Sequence, residues 1–210
     1  MVERVVVVAA GARGPLPDLE ESFVVAADGG ADAALALGLD VDLAIGDFDS
    51  VSAAGLAAVK AAGAIVERHP AAKDATDLEL ALDAALAAEP RRILLVGAAG
   101  GRLDHLLSSL ELLASSRYAH VELDAQLGSA CVHVIRRART FAGISGELLS
   151  LHALHGAAYG VTTEGLEYPL AGETLEPGSS RGVSNVFAAS EARIALESGV
   201  LLAIRPGTPA

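Results

Sequence analysis

Short runs of apolar, often β-branched residues alternate with alanine- and leucine-rich segments through the first 124 residues of this 210-residue chain. The first run, Val5-Val6-Val7-Val8, has no polar residue at alternate positions, which is typical of a strand buried on both faces. Strands of this kind, separated by helical segments, favour a parallel sheet covered by helices. The sequence predicts strands at 5–10, 23–27, 43–45, 64–67, 93–96 and 121–123, and helices at 31–37, 53–62, 77–88 and 103–114.

The pattern changes after residue 124. Glycine and proline become frequent, and the apolar runs are short and β-rich, with no helical period maintained over eleven residues. Strands are predicted at 131–135, 147–153, 160–163, 193–197 and 200–204, a spacing that favours a β-sandwich or a barrel. We therefore predict two domains packed together, a mostly parallel α/β domain at 1–124 and a β-sandwich domain at 125–210.

Charge and composition limit the classes of ligand. The formal net charge of −12 repels phosphodiester backbones, so no nucleic-acid partner is expected. A nucleotide can still bind such a protein when a divalent cation bridges carboxylate and phosphate. No apolar stretch approaches the ~18 residues of a spanning helix, so no membrane association is expected. The single cysteine, Cys131, agrees with a reducing, cytoplasmic compartment.

Six aspartates lie beside glycines or turn-forming residues, close to the ends of predicted strands or the starts of predicted helices. Ligands of an open parallel sheet bind beyond the carboxyl ends of its strands, so we expect these carboxylates to face one crevice. Carboxylates gathered in this way can hold Mg²⁺ on a polyphosphate. The six are Asp28, Asp47, Asp49, Asp74, Asp77 and Asp104.

The segment Gly46-Asp47-Phe48-Asp49-Ser50 places two carboxylates two residues apart. In an extended strand two such side chains share a face but stay far apart, whereas a turn brings both toward one cation. One or two carboxylates with waters and phosphate oxygens suit Mg²⁺. The alternative is an Asx-turn in which Ser50 or Ser52 caps the next helix. The metal hypothesis is favoured because the other aspartate segments are expected to face the same crevice.

Two further segments add cations and hydrogen-bond donors. In the loop 97–105, the run Gly100-Gly101-Arg102-Leu103-Asp104-His105 leads from a buried strand into a helix, where glycines, free N–H groups and a guanidinium suit a phosphate. The segment Lys73-Asp74-Ala75-Thr76-Asp77 opens another helix, with Thr76 and Glu79 as a capping box. Neither segment is a Walker loop or a dinucleotide fingerprint. For His105, a supporting role is favoured over direct catalysis.

In this order, these segments resemble the thiamine pyrophosphokinase family. The resemblance covers 27–31, 46–50, 73–77 and 97–105, and in the β-rich half it covers 160–170 and 182–185. It implies an α/β nucleotide-binding domain followed by a β-sandwich, assembled as a homodimer with active sites at the subunit interface. It also implies Mg²⁺-dependent transfer of diphosphate from ATP to the hydroxyl of thiamine, with release of AMP.

The resemblance also implies roles for single residues. Asp47, Asp49 and Asp77 would hold Mg²⁺ and the triphosphate. Asp104 would contact the nucleotide. From the chemistry of the reaction, a carboxylate near the attacking hydroxyl could accept its proton, and the sequence does not choose between Asp74 and Asp104 for that role. The remaining nucleotide and phosphate contacts would come from Asp28, Gly29, Gly30, Lys73, Thr76, Gly100, Gly101, Arg102 and His105.

The thiamine site would lie in the β-rich half. Ser184 and Asn185 would bind thiamine, and the scarcity of aromatic residues, 3% with no tryptophan, leaves stacking to Tyr168, Phe187 or another of the few rings. A diphosphokinase for another alcohol, such as a hydroxymethylpterin, would share the aspartates and differ in this half. A non-catalytic nucleotide sensor would have no need for a full carboxylate set. An NAD-dependent oxidoreductase is disfavoured because the dinucleotide fingerprint is absent.

Overall fold

The computed structural model describes residues 2–12, 14–19 and 21–207 and divides into two compact units. The first unit extends to Leu112 and resumes at His120–Gly128. Its strands pair in parallel in the order β6-β5-β1-β2-β3-β4, which confirms the predicted parallel sheet. The strands are β1 Arg4–Ala9, β2 Phe23–Ala27, β3 Leu43–Gly46, β4 Ile65–Arg68, β5 Arg92–Val96 and β6 Glu122–Leu127.

The sheet core follows from the first apolar run. The four valines of β1, Val5 to Val8, are completely buried, because this strand lies between β2 and β5. Small residues such as Ala31 and Ala34 of the first helix belong to the same hydrophobic cluster. The helices are α1 Gly30–Ala36, α2 Ala53–Ala61, α3 Asp77–Ala87 and α4 Leu103–Ala114, each within a residue of its predicted bounds. Among the described residues, no helix is long and apolar enough to cross a membrane.

The strand order changes direction at β1, and this change positions the site. Strands β2, β3 and β4 follow on one side of β1, while β5 and β6 lie on the other. Such a switch leaves a crevice beyond the carboxyl ends of the strands. Gly30 allows α1 to begin close to β1, because a Cβ at Gly30 would lie only 1.9 Å from the carbonyl oxygen of Val8. Gly30 is buried, so its place here is explained by packing.

The second unit comprises Leu113–Ala119 and the chain from Ser129 onward. Within it, strands pair antiparallel in the orders β12-β9-β14-β7 and β11-β10-β13-β8. Side chains of both sheets, Leu151 and Val161 among them, share one buried cluster, which confirms a β-rich second half. The strands are β7 Ala130–Ile135, β8 Ala138–Ala142, β9 Leu148–Ala153, β10 Ala158–Glu164, β11 Ala171–Leu175, β12 Asn185–Val186, β13 Glu191–Ala195 and β14 Leu201–Arg205.

Two features differ from the sequence predictions. Strand β6 continues through the polar residues Asp124 and Gln126 to Leu127, beyond the predicted strand 121–123. Three strands were not predicted, namely β8, β11 and β12. In β11 only Leu175 is buried, and β12 has two residues, so neither carries an apolar pattern long enough to recognise.

Candidate active site

A cavity of about 660 Å³ opens at the carboxyl ends of β1, β2, β3 and β5. A larger cavity, about 750 Å³, occurs in the second unit, but its two charged lining residues, Glu147 and Arg205, are paired with each other. The first cavity contains most of the predicted nucleotide-site residues. They are Asp28, Gly29, Asp47, Lys73, Thr76, Asp77, Gly100, Arg102 and His105.

Three carboxylates come together at the edge of this cavity, and two of them, Asp28 and Asp47, line it. One oxygen from each of Asp28, Asp47 and Asp49 lies within 4.8 Å of the other two. Asp77, which was expected in the metal set, lies outside this group but close to it. A Cβ placed on Gly46 would be 3.0 Å from Asp77 Oδ1 and 3.1 Å from Asp28 Cβ. Clustered carboxylate oxygens are the donors that Mg²⁺ prefers, so the group fits a divalent cation.

The loop after β3 has a conformation that brings its two carboxylates together. Phe48 has φ +62°, an uncommon backbone geometry for a bulky residue. Asp47 Oδ1 accepts a 3.2 Å hydrogen bond from the N–H of Asp49, and Ser50 Oγ donates to Asp49 Oδ1 at 2.8 Å. Ser52 caps α2 by accepting from Gly55 N–H at 2.9 Å. The sequence left a local turn and a carboxylate cluster as alternatives. In the structure both occur in the same loop.

Lys73 places its ammonium between two aspartates. Its Nζ lies 3.3 Å from Asp47 Oδ2 and 3.1 Å from Asp77 Oδ1. Partial desolvation acts to raise the pKa of Asp47, but hydrogen bonds from Lys73 and from the N–H of Asp49 outweigh it and leave that pKa lowered. Desolvation acts to lower the pKa of Lys73, yet Asp77 and Asp47 raise it overall. Asp47 and Lys73 therefore both carry charge at neutral pH.

Three residues at the start of α3 differ in their positions and contacts. Thr76 Oγ1 accepts from the N–H of Glu79 at 3.2 Å, which confirms the predicted helix cap. Asp77 lines the cavity from the first turn of the helix. Asp74 is exposed and is not among the described residues that line the cavity.

The glycine-rich loop after β5 also contributes to the cavity. Gly100 and Gly101 have positive φ values of 89° and 78°. Arg102 and His105 line the cavity, whereas Asp104 does not appear among the described lining residues. Arg102 instead forms a paired hydrogen bond with Asp104, at 3.1 Å and 2.6 Å. This pairing lowers the pKa of Asp104 to about 2.

Two residues that sequence reasoning did not select support the carboxylate loop. Asp32 of α1 accepts 2.7 Å hydrogen bonds from both the N–H and the hydroxyl of Ser52, and so links α1 to the start of α2. Arg68, at the end of β4, donates to the main-chain oxygen of Asp47 and lies over the ring of Phe48. Their contacts cross 20 or 21 residues of sequence, so no local pattern indicates them.

A second polar cavity, of about 450 Å³, lies in the β-rich unit. Tyr168, Ser184 and Asn185 all line it, so the structure brings the three predicted thiamine-binding residues together. Tyr168 is 55% exposed and can present its ring to a ligand. Phe187 is 1% exposed within the core, so the alternative that it stacks on a ligand is wrong.

The side chain of Asn185 is used inside the protein. Its Nδ2 donates to the carbonyl of Tyr168 at 2.7 Å, while its Oδ1 accepts from the N–H groups of Tyr168 at 3.0 Å and Val186 at 2.9 Å. Asn185 is 2% exposed. It therefore fixes the backbone at Tyr168 and has little amide capacity left for a ligand.

The fold and the two cavities define a two-unit protein with an α/β unit that gathers carboxylates at a sheet edge and a β-rich unit with its own polar cavity. The family model for the thiamin pyrophosphokinase catalytic domain matches residues 19–124, and that for the thiamin pyrophosphokinase vitamin B1 binding domain matches residues 132–201. The chain belongs to the thiamine pyrophosphokinase family, a family of kinase-type enzymes, which confirms the resemblance seen in the sequence.

Individual relatives agree with this assignment. The chain is 28% identical to thiamine pyrophosphokinase of Bacillus subtilis over 211 residues, covering 95% of this chain and 96% of that protein. The crystal structure of thiamine pyrophosphokinase from Bacillus subtilis superposes with a TM-score of 0.86 at 26% identity, covering 99% of this chain and all of that one. The structure from Geobacillus thermodenitrificans gives 0.82 at 30% identity, with 99% and 98% covered.

Proposed function

We propose that this chain transfers the diphosphate group of ATP to the hydroxyl of thiamine and releases AMP, with Mg²⁺ as the required cation. The observation that carries the proposal is the group of Asp28, Asp47 and Asp49, whose oxygens lie within 4.8 Å of one another beside the cavity of the α/β unit. The match of residues 132–201 to a vitamin B1 binding domain favours thiamine over a pterin alcohol and an enzyme over a nucleotide sensor.

Attack by an alcohol on a phosphate requires charge neutralisation and in-line positioning. Asp28, Asp47 and Asp49 would hold the cation, which supplies positive charge against the phosphate oxygens. Lys73 would contribute a second positive charge once its ammonium turns from Asp47 toward the phosphates. Arg102, whose guanidinium is exposed at the cavity edge, would bind a phosphate oxygen in the same way.

The proton of the attacking hydroxyl needs an acceptor. Of the two predicted candidates, Asp104 has a pKa lowered to about 2 by its pairing with Arg102, so it can accept the proton only once Arg102 has turned to a phosphate. Asp74 carries no such pairing among the described contacts, but it is not among the described lining residues of the cavity either, so both candidates stay open.

Thiamine would bind in the cavity of the β-rich unit. The exposed ring of Tyr168 suits the cationic thiazolium, because aromatic faces attract cations. Ser184 offers a hydroxyl at the same cavity. A homodimer with active sites at the subunit interface, and a cytoplasmic location, remain predictions from the family resemblance.

The direct test is to incubate the purified protein with ATP, Mg²⁺ and thiamine and to separate the products by chromatography. We expect thiamine diphosphate and AMP in equal amounts. ADP together with thiamine monophosphate would contradict transfer of a diphosphate group. Replacing thiamine by a hydroxymethylpterin should give no product.

Asp49→Asn tests the carboxylate group. Removing one charge from the cluster should lower kcat by ~10²-fold or more, as for the loss of a preorganised electrostatic contact. The matched control is Asp40→Asn, which removes an exposed carboxylate that precedes β3 and is not among the described residues lining the cavity, and which should leave turnover unchanged. Turnover of Asp49→Asn close to that of the wild type would count strongly against the metal role.

A further inference from the structure

Arg68 contacts the middle of the carboxylate loop from a neighbouring strand. It is the last residue of β4 and pairs in register with Gly46, the last residue of β3. From there its Nη1 donates a hydrogen bond to the main-chain oxygen of Asp47. Its guanidinium carbon also lies 4.8 Å from the centroid of the Phe48 ring. Both contacts fall between the carboxylates of Asp47 and Asp49.

The loop needs such support because its backbone is strained. Phe48 has φ +62°, and a bulky residue keeps this geometry only where its surroundings hold it. The hydrogen bond from Arg68 fixes the carbonyl before Phe48, and the cation–π contact fixes its ring. If residue 48 relaxed to a negative φ, the peptide planes on either side would rotate and Asp47 and Asp49 would separate.

An ion pair does not explain the direction of the Arg68 guanidinium. No described carboxylate lies within ion-pair distance of its guanidinium, and the carboxylate of Asp47 is paired with Lys73. The guanidinium is therefore directed at a carbonyl and a ring. Both of these contacts are to consecutive residues of one strained turn, Asp47 and Phe48.

We propose that Arg68 is a positioning residue that fixes the loop 46–49 so that Asp47 and Asp49 face the same divalent cation. Arg68 is not among the described residues that line the cavity, so it would act through the loop. The inference rests on the proposed function for its catalytic consequence, but the positioning of metal ligands can be measured without nucleotide or thiamine.

The test compares Arg68→Met, which removes the hydrogen bond and the charge, with Arg68→Lys, which retains a donor and a cation. Binding of Mn²⁺ alone is measured by electron paramagnetic resonance. The dissociation constant should rise about 10-fold in Arg68→Met, the scale on which support behind metal ligands acts, and less in Arg68→Lys. The Mg²⁺ concentration for half-maximal rate should rise in parallel, with kcat at saturating Mg²⁺ close to that of the wild type.

Arg91→Met is the matched control, since Arg91 is an exposed arginine that precedes β5 and pairs with Glu3. It should leave Mn²⁺ binding unchanged. An unchanged Mn²⁺ dissociation constant in Arg68→Met would overturn the inference, even if the variant melted at a lower temperature. Absence of Mn²⁺ binding by the wild type would also overturn it. If Arg68→Met does not fold, Arg68→Lys must weaken Mn²⁺ binding by itself. Wild-type protein that binds Mn²⁺ but makes no thiamine diphosphate would refute the proposed function alone.

Discussion

At the scale of single residues, the acidic side chains of the site differ in what their carboxylates contact. Asp32 accepts two hydrogen bonds from Ser52 and serves the junction of α1 and α2. Asp104 is paired with Arg102 and has a low pKa. Asp28 and Asp49 instead share a group with Asp47. Chemically identical residues therefore divide into structural supports and candidate ligands, and only the latter are expected to control metal binding.

Gly46 gives the most specific steric prediction for this site. Its φ is +148°, and an added Cβ would lie 3.0 Å from Asp77 Oδ1 and 3.1 Å from Asp28 Cβ. Gly46→Ala should therefore displace both aspartates as well as strain the backbone. We expect a loss of about 1–3 kcal/mol in the free energy of unfolding. The Mg²⁺ concentration for half-maximal rate should also rise.

Gly63→Ala separates the effect of backbone strain from the effect of displacing Asp28 and Asp77. Gly63 also has a positive φ, +103°, but no heavy atom lies within 4 Å of an added Cβ. This variant should lose stability in a denaturant titration while its Mg²⁺ dependence stays that of the wild type. Equal Mg²⁺ dependence in the two alanine variants would mean that displacement of Asp28 and Asp77 has no effect on the site.

At the scale of helices and strands, the sequence allowed most of the α/β unit to be predicted. Buried parallel strands consist of unbroken apolar runs, and the helices begin at recognisable caps such as Thr76, so local pattern was sufficient. The edge strands β8, β11 and β12 lack that signal. The sequence also located the aspartate segments correctly, but it could not show that Asp28 joins Asp47 and Asp49. That grouping depends on the registers of β2 and β3, which bring residues about 20 apart together.

The short strand β12 provides a prediction for the thiamine cavity. Asn185→Ala would leave the N–H and the carbonyl of the exposed Tyr168 without their side-chain partner and so loosen the backbone that carries its ring. Because these contacts lie in the second unit, we expect the KM for thiamine to rise while the KM for ATP stays constant. Steady-state kinetics with each substrate varied in turn distinguishes this outcome from general damage, which would alter both constants.

At the scale of the whole molecule, the dominant electrostatic feature is the net charge of −12. Like charges repel one another, so a strongly acidic chain is destabilised by its own surface. The cluster of Asp28, Asp47 and Asp49 concentrates this repulsion, because its oxygens lie within 4.8 Å of one another. Divalent cations in solution weakly screen the repulsion over the whole surface. A cation bound at the cluster instead neutralises the repulsion among these three carboxylates. Thermal unfolding can separate the two effects.

Asp49→Asn should be at least as stable as the wild type without ligand and less stable than the wild type with ligand. Without ligand, the variant should melt at or above the temperature of the wild type, since one repulsive charge is gone and an amide oxygen can still accept from Ser50. With Mg²⁺ and a non-hydrolysable ATP analogue near 100 times the dissociation constant, the wild type should gain about 2.7 kcal/mol. For a chain of this size that raises Tm by roughly 5–10 °C. Asp49→Asn should gain much less. An equal gain in both proteins would show that Asp49 does not contribute to the stabilisation, and an equal gain in NaCl of the same ionic strength would show that screening alone accounts for it.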